Sequence, residues 1–320
     1  MLPSLADIQE ARLRIAGAAI RTPLVRLNIA ESPAEIYLKL ENLQPIGSFK
    51  IRGASNAMRR LPMESLARGV LTASAGNMAQ GVAWSARQLG IPCTVVAPET
   101  APETKIKSIE RLGGRVIRVQ FEEWWRAFEQ RVYPGIEAQF IHAFDDINVM
   151  AGNGTIALEI IEDLPEVDAV VVPWGGGGLT CGIAVAIRAL NPKCKVYAAE
   201  VATAAPLAAS LAVGSPQTVD YQPSFVDGIG AKAVFPQMLE LAQGLIEGSL
   251  VAEVEEVAAA LWLMAERNRV IAEGAGACPV ACALAGKAGR GKVVCIVSGG
   301  NIDFGKLCAI LTAENVNHKF

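Results

Sequence analysis

Ala169-Val-Val-Val-Pro173-Trp174-Gly175-Gly176-Gly177-Gly178-Leu179-Thr180-Cys181 is the stretch on which the reading of this chain turns. The β-branched run at its start has the character of a buried strand, and a helical pattern sets in near Leu179. Between them, consecutive glycines leave backbone N–H groups unshielded at the positive end of a helix, a cradle for a phosphate dianion. A dinucleotide site is the rival, because Glu200 ends the next strand at about the distance of a ribose-binding acid. The spacing opposes it: Gly-x-Gly-x-x-Gly counted from Gly175 ends on Thr180, and counted from Gly176 it ends on Cys181. A glycine hinge that binds nothing stays open at this point.

Outward from this segment the pattern alternates. Short apolar runs at 36–40, 69–73, 93–97, 116–119, 140–142, 195–199 and 293–297 are interleaved with amphipathic stretches at 53–61, 78–89, 104–112, 121–131, 154–161, 179–189 and 254–269. That order predicts an α/β protein with parallel sheets flanked by helices. Ser4 and Asp7 have the spacing of a capping box opening a first helix, and 213–233 reads as loop. With 320 residues, 52% apolar and 19% charged, the chain can build two core-bearing domains. Lys plus Arg is 29 against 32 for Asp plus Glu, so no basic excess serves a nucleic-acid partner. Two long uncharged stretches, 169–187 and 201–219, are broken by glycine or proline, and no leader pattern opens the chain, so neither membrane span nor export is expected. Histidine is scarce: His142 and His318 are the only two, which disfavours His-based metal sites and Ser-His-Asp catalysis. Seven cysteines without a Cys-x-x-Cys pair read as buried, reduced thiols of a cytoplasmic protein.

Three further clusters carry chemistry. In Gly47-Ser48-Phe49-Lys50-Ile51-Arg52-Gly53-Ala54 a lysine lies between apolar neighbours before a helix. A desolvated lysine has a lowered pKa and attacks carbonyls, although a buried, ion-paired lysine would look the same. Ser74-Ala75-Gly76-Asn77-Met78 follows a strand and opens a helix without charge, so its N–H groups suit a carboxylate and the Asn77 amide a ring oxygen; an ordinary cap is the plainer reading. Val297-Ser298-Gly299-Gly300-Asn301 repeats the strand–glycine turn with a hydroxyl.

In this order the four clusters resemble the fold-type II pyridoxal-phosphate enzymes (the tryptophan synthase β-like fold), specifically the serine/threonine dehydratase and serine racemase branch. The resemblance runs from Thr22-Pro23-Leu24 to Asn301. It implies that Lys50 carries pyridoxal 5'-phosphate as a Schiff base and, once freed, takes the substrate α-proton. Phe49 would pack on the ring, Asn77 would meet the ring hydroxyl, and Ser298 the pyridine nitrogen. Gly175, Gly176, Gly177, Gly178 and Leu179 would hold the phosphate. Ser74, Ala75, Gly76 and Met78 would line the substrate-carboxylate loop. The implied partner is a small amino acid, with a homo-oligomer such as a dimer allowed, and the implied reaction is dehydration and deamination of a β-hydroxy-α-amino acid to a 2-oxo acid and ammonia.

Departures from the family pattern sharpen this. Serine racemases have a second hydroxyl in the loop where this chain has Ala75, so dehydration is expected over racemisation. The family's histidine after the loop asparagine is Met78 here, and Trp174 replaces a smaller residue, which makes a bulkier substrate such as 3-phenylserine a candidate. The divalent-cation motif of some relatives keeps Glu200 and Ala204 but has Pro206 where the aspartate belongs, so no metal is expected. Residues 1–68 and 146–320 are expected to form a large cofactor-binding domain and 69–145 a small mobile one. A β-replacement enzyme of the cysteine synthase type, a dinucleotide-dependent oxidoreductase and a non-catalytic binding protein are the alternatives.

Overall fold

In the computed structural model, residues 1–313 are described, and His318 lies outside them. The strands are β1 (Leu24–Arg26), β2 (Glu35–Lys39), β3 (Val70–Ala73), β4 (Cys93–Pro98), β5 (Arg115–Val119), β6 (Gln139–Phe140), β7 (Ala169–Pro173), β8 (Lys195–Val201), β9 (Gly248–Ala252) and β10 (Lys292–Ile296). They make two sheets. One has the order β1-β2-β10-β7-β8-β9 and the other β5-β4-β3-β6. Every pairing is parallel except β1 with β2. Parallel strands are covered on both faces, which is why β7, Ala-Val-Val-Val-Pro, is buried at every position.

The helices are α1 (Leu5–Arg14), α2 (Lys50–Arg59), α3 (Met63–Leu66), α4 (Asn77–Leu89), α5 (Glu103–Arg111), α6 (Phe121–Gln130), α7 (Ile147–Asp163), α8 (Gly178–Leu190), α9 (Pro206–Val213), α10 (Pro236–Gln243), α11 (Val254–Leu263), α12 (Gly274–Leu284) and α13 (Phe304–Leu311). The Ser4 capping box forms: Asp7 N–H donates to Ser4 Oγ at 3.1 Å and Ser4 N–H to Asp7 Oδ2 at 2.9 Å.

Several boundaries differ from expectation for identifiable reasons. The helix expected at 154–161 begins seven residues earlier, where Asp146 Oδ1 accepts from the N–H groups of Asn148 (2.7 Å) and Val149 (3.1 Å). Its glycines look like loop signals but serve packing: a Cβ on Gly152 would stand 2.4 Å from the Arg52 carbonyl oxygen. The helix expected over 254–269 ends at Leu263 and passes into a π turn, Met264–Asn268. α12 shows no amphipathic period because its residues from Gly274 to Ala283 are all buried.

α2 joins the two sheets. Ala54, Ala57 and Met58 pack with Leu66, Val70, Met78 and Val95 in the core of the four-stranded sheet. On its other side Arg52 enters a buried ionic network. Its Nε donates to Glu41 Oε2 at 2.8 Å and its Nη1 to Glu159 Oε1 at 2.7 Å, while Lys39 Nζ reaches Glu159 Oε2 at 2.6 Å. Burial opposes the Arg52 charge, but Glu41 and Glu159 outweigh it and hold its proton more tightly than usual.

Candidate active site

The four glycine and lysine clusters meet at the carboxyl ends of the strands, where ligands of open α/β sheets bind. Two of them clasp each other directly: Phe49 N–H donates to the Ser298 carbonyl (2.9 Å), Gly300 N–H to the Gly47 carbonyl (2.9 Å), and Ser48 bridges Gly299. This clasp, with Ser48 and Ser298 both buried, sets the start of α2 and therefore the position of Lys50.

Lys50 Nζ donates to the Ala143 carbonyl at 2.8 Å and lies 5.0 Å from the Phe49 ring centroid. Burial pushes its amine down to about 8, against the opposing pull of the Glu273 carboxylate. A substantial fraction is therefore neutral and nucleophilic near pH 8.

The residue after Ala143 shapes the glycine loop. Phe144 lies so close that a Cβ on Gly176 would stand 2.0 Å from its ring, and one on Gly178 would stand 2.6 Å from its carbonyl oxygen. Gly177 caps α8 at φ 88°, a left-handed conformation that favours glycine. Residues 143 and 144 thus touch both the lysine and the loop, placing amine and cradle in one cleft. The N–H groups of 175–179 stand at the positive end of α8.

His142 holds this corner together. Its Nδ1 accepts from the N–H groups of Asp145 (2.8 Å) and Phe144 (3.3 Å), and its ring packs 4.6 Å from Phe128 and 4.8 Å from Phe144. Burial, aided by Arg131, pushes it down to about 4, so the imidazole is neutral and works as a fixed acceptor.

Across the cleft, Ser74, Ala75, Gly76 and Asn77 are half-buried, with open space in front of Gly76. Met78 points elsewhere: it is 2% exposed and sits in the core of the four-stranded sheet. Trp174 is likewise core, 1% exposed, packed with Met150, Leu207 and Met238. Leu179 is buried beneath the loop it follows. The Asn77 amide is doubly held: Nδ2 donates to Glu273 Oε1 and Oδ1 accepts from Asn301 Nδ2, both at 2.8 Å. Glu273 has no role in the sequence reading, and Ala143 has none there as a partner of Lys50. A lone carboxylate in the small, apolar run 270–285 was the available signal for Glu273; Ala143 left none.

Glu200 does not present itself to a cation. Its Oε1 accepts from Leu207 N–H (2.8 Å), and its Oε2 from Ala208 N–H (2.8 Å) and Ser249 Oγ (2.6 Å). The first turn of α9, opened by Pro206, thus takes up the carboxylate, and Ala204 is buried beside it. Six of the seven cysteines are buried and Cys308 is exposed; burial pushes Cys93 and Cys181 up to about 12, beyond thiolate chemistry at neutral pH.

Pyridoxal phosphate carries a phosphate, an amine-reactive aldehyde, a pyridine nitrogen and a ring hydroxyl. A glycine cradle, an amine of lowered pKa, a hydroxyl residue and a fixed amide around one cleft fit those groups. The profile of the family described as pyridoxal-phosphate dependent enzymes matches residues 15–299. The chain belongs to that family and uses pyridoxal phosphate. Within it, the chain is 43% identical to the L-threonine ammonia-lyase of Thermotoga maritima, over 96% of this chain and 78% of the relative. It is 38% identical to a catabolic L-threonine dehydratase of Staphylococcus aureus, over 96% and 92%. Its fold superposes on maize serine racemase with a TM-score of 0.89 at 32% identity, covering 97% of each chain. It superposes on a threonine deaminase from Solanum lycopersicum with 0.87 at 32%, covering 98% and 94%.

Proposed function

We propose that this protein is a dehydratase that eliminates water from L-threonine or L-serine; the enamine formed takes a water back on hydrolysis and releases ammonia and the 2-oxo acid. The observation that carries this reading is Lys50, a buried amine of lowered pKa bonded to the Ala143 carbonyl beside the glycine loop. In the loop that we assign to the substrate carboxylate, Ala75 stands where a second acid–base hydroxyl would. When bound, the cofactor supplies the electron sink that makes the α-proton acidic. The chain's own residues do the rest. N–H groups at the start of α4 hold the substrate carboxylate, while Asn77 and Ser298 orient the ring. Lys50 takes the α-proton on its own face of the substrate, and the loop at 175–179 anchors the phosphate.

The smaller substrates are favoured because Met78 and Trp174, the positions that argued for 3-phenylserine, pack into hydrophobic cores. The relatives from Thermotoga maritima and Staphylococcus aureus are named for L-threonine. A second reading, racemisation, is favoured by the likeness to maize serine racemase and opposed by Ala75. The unpaired thiols fit a reducing compartment such as the cytoplasm. The test measures 2-oxo acid release from L-threonine, L-serine, threo-3-hydroxyaspartate and L-3-phenylserine by the holoenzyme. Fastest release from threonine or serine is expected, lost by at least about 10²-fold in Lys50→Ala. Interconversion of serine enantiomers outpacing release would favour the racemase reading.

A further inference from the structure

Glu273 stands at the same cleft, bonded to Asn77, and takes no part in the reaction proposed for Lys50. It is 9% exposed and caps α12, where its N–H donates to the Gly299 carbonyl at 2.9 Å. Its Oε1 accepts from Asn77 Nδ2 at 2.8 Å, so this bond links the start of α4 to the start of α12. The amide cannot flip without loss, since Asn77 Oδ1 accepts from Asn301 Nδ2 at 2.8 Å, itself anchored on the Ile46 carbonyl at 2.9 Å. A Cβ on Gly299 would lie 2.6 Å from Oε1, so the carboxylate occupies the space that a side chain after Ser298 would need.

Charges reach Glu273 from three elements. Asp227, in the short 3-10 helix Asp227–Ile229, pairs with Lys105 of α5 at 3.0 Å, and Lys50 lies on α2. Burial and the Asp227 charge push Glu273 up to about 7, while the Asn77 amide, Lys105 and the Asn301 N–H pull it back. The carboxylate in turn resists the loss of the Lys50 proton.

We propose that Glu273 is a positioning residue: it aims the Asn77 amide at the cofactor ring and, through its charge, sets the protonation of the Lys50 amine. This rests on the reading of Lys50 and Asn77 as cofactor residues. Ionised Glu273 gives Asn77 a strong acceptor and favours the Lys50 ammonium. Protonated, it weakens that bond and releases the lysine proton at lower pH.

Glu273→Gln keeps an acceptor oxygen and removes the charge, whereas Glu273→Asp keeps the charge. In cofactor-free protein, the pH dependence of Lys50 labelling by an amine-reactive reagent, followed by peptide mass spectrometry, reads the amine directly. The midpoint is expected to fall by about half a unit or more in Glu273→Gln and to return toward that of the parent protein in Glu273→Asp. The unsubstituted protein provides a second measurement. Its Lys50 curve should be shallower than a one-proton titration, because the Glu273 charge changes over the same range. An unmoved midpoint in folded Glu273→Gln, or a simple one-proton curve in the parent, overturns the proposal. Lys50→Ala separates this from the underlying reading. If that variant still fixes cofactor covalently on borohydride reduction, the assignment of Lys50 fails. If it loses that fixation while Glu273→Gln is unmoved, only the role of Glu273 fails.

Discussion

Single side chains here are defined as much by what surrounds them as by their chemistry. Ala75 is one methyl group in the loop that we assign to the substrate carboxylate, and it brings no side-chain oxygen to that position. Supplying one by Ala75→Ser should raise α-proton exchange and serine racemisation by at least about 10-fold, with elimination retained. Chiral chromatography of the products reads this, and an unchanged enantiomer ratio would show that a hydroxyl there does not suffice. His142 makes a different point. Folded, it is held near 4; unfolded, it would titrate near its ordinary 6.5. The unfolded chain therefore binds the extra proton between these values, and stability falls as pH drops from about 6.5 toward 4, by up to roughly 3 kcal/mol. Denaturant midpoints at pH 7 and 5 should show that loss. His142→Asn, which keeps an acceptor for the Phe144 and Asp145 N–H groups, should flatten it. An identical slope in the variant would assign the acid sensitivity elsewhere.

At the scale of elements, α2 carries the lysine, and three neighbours fix its placement. The clasp with 298–300 sets its first turn, the Arg52 network ties its flank to β2 and α7, and its apolar face enters the core of the four-stranded sheet. Removing one member of a buried ionic network leaves the others charged and unpaired. Arg52→Ala should therefore cost about 3–5 kcal/mol in unfolding free energy, far beyond a surface ion pair. Activity should fall even at temperatures where the variant stays folded, because the start of α2 loses its lateral anchor. A denaturant shift worth less than about 1 kcal/mol would mean the network is not rigidly coupled to the fold.

Across the whole molecule, the two sheets meet through α2, whose apolar face lies in the core of the four-stranded sheet, and through polar links and an aromatic cluster beside it. Asn77 bonds Glu273, Lys105 pairs with Asp227, and Phe235 packs 6.1 Å from Trp125 and 5.3 Å from Phe144. The Trp124-Trp125 pair thus serves packing around α6. We propose that 69–145 moves as a unit against 1–68 and 146–320, with the Lys105–Asp227 pair and the Phe235 contacts made on closure and the Asn77–Glu273 bond kept throughout. Small-angle scattering of the holoenzyme should show a smaller radius of gyration when a non-reactive carboxylate analogue of the substrate is bound, and an unchanged radius would point to a permanently closed cleft. No helix among the described residues is long and apolar enough to cross a membrane.

Strand and helix order, the glycine cradle and the lysine segment were legible in the amino-acid sequence, because each is a local pattern: β-branched runs, helical periods, and glycines where backbone must be bare. α12 was not legible, since a helix buried on all sides has no polar face to mark its period. The task of Glu273 was equally hidden, because it depends on Asn77 and Asn301, which chain distance separates and only the packed sheets bring together. The same limit applied to Met78 and Trp174, whose residue types suggested a remodelled cleft. Which way a side chain points is fixed by the neighbours it meets after folding, and both meet a hydrophobic core. The sequence by itself determined the architecture and the cofactor chemistry; the tertiary structure decided which groups share a charge environment and which merely fill space.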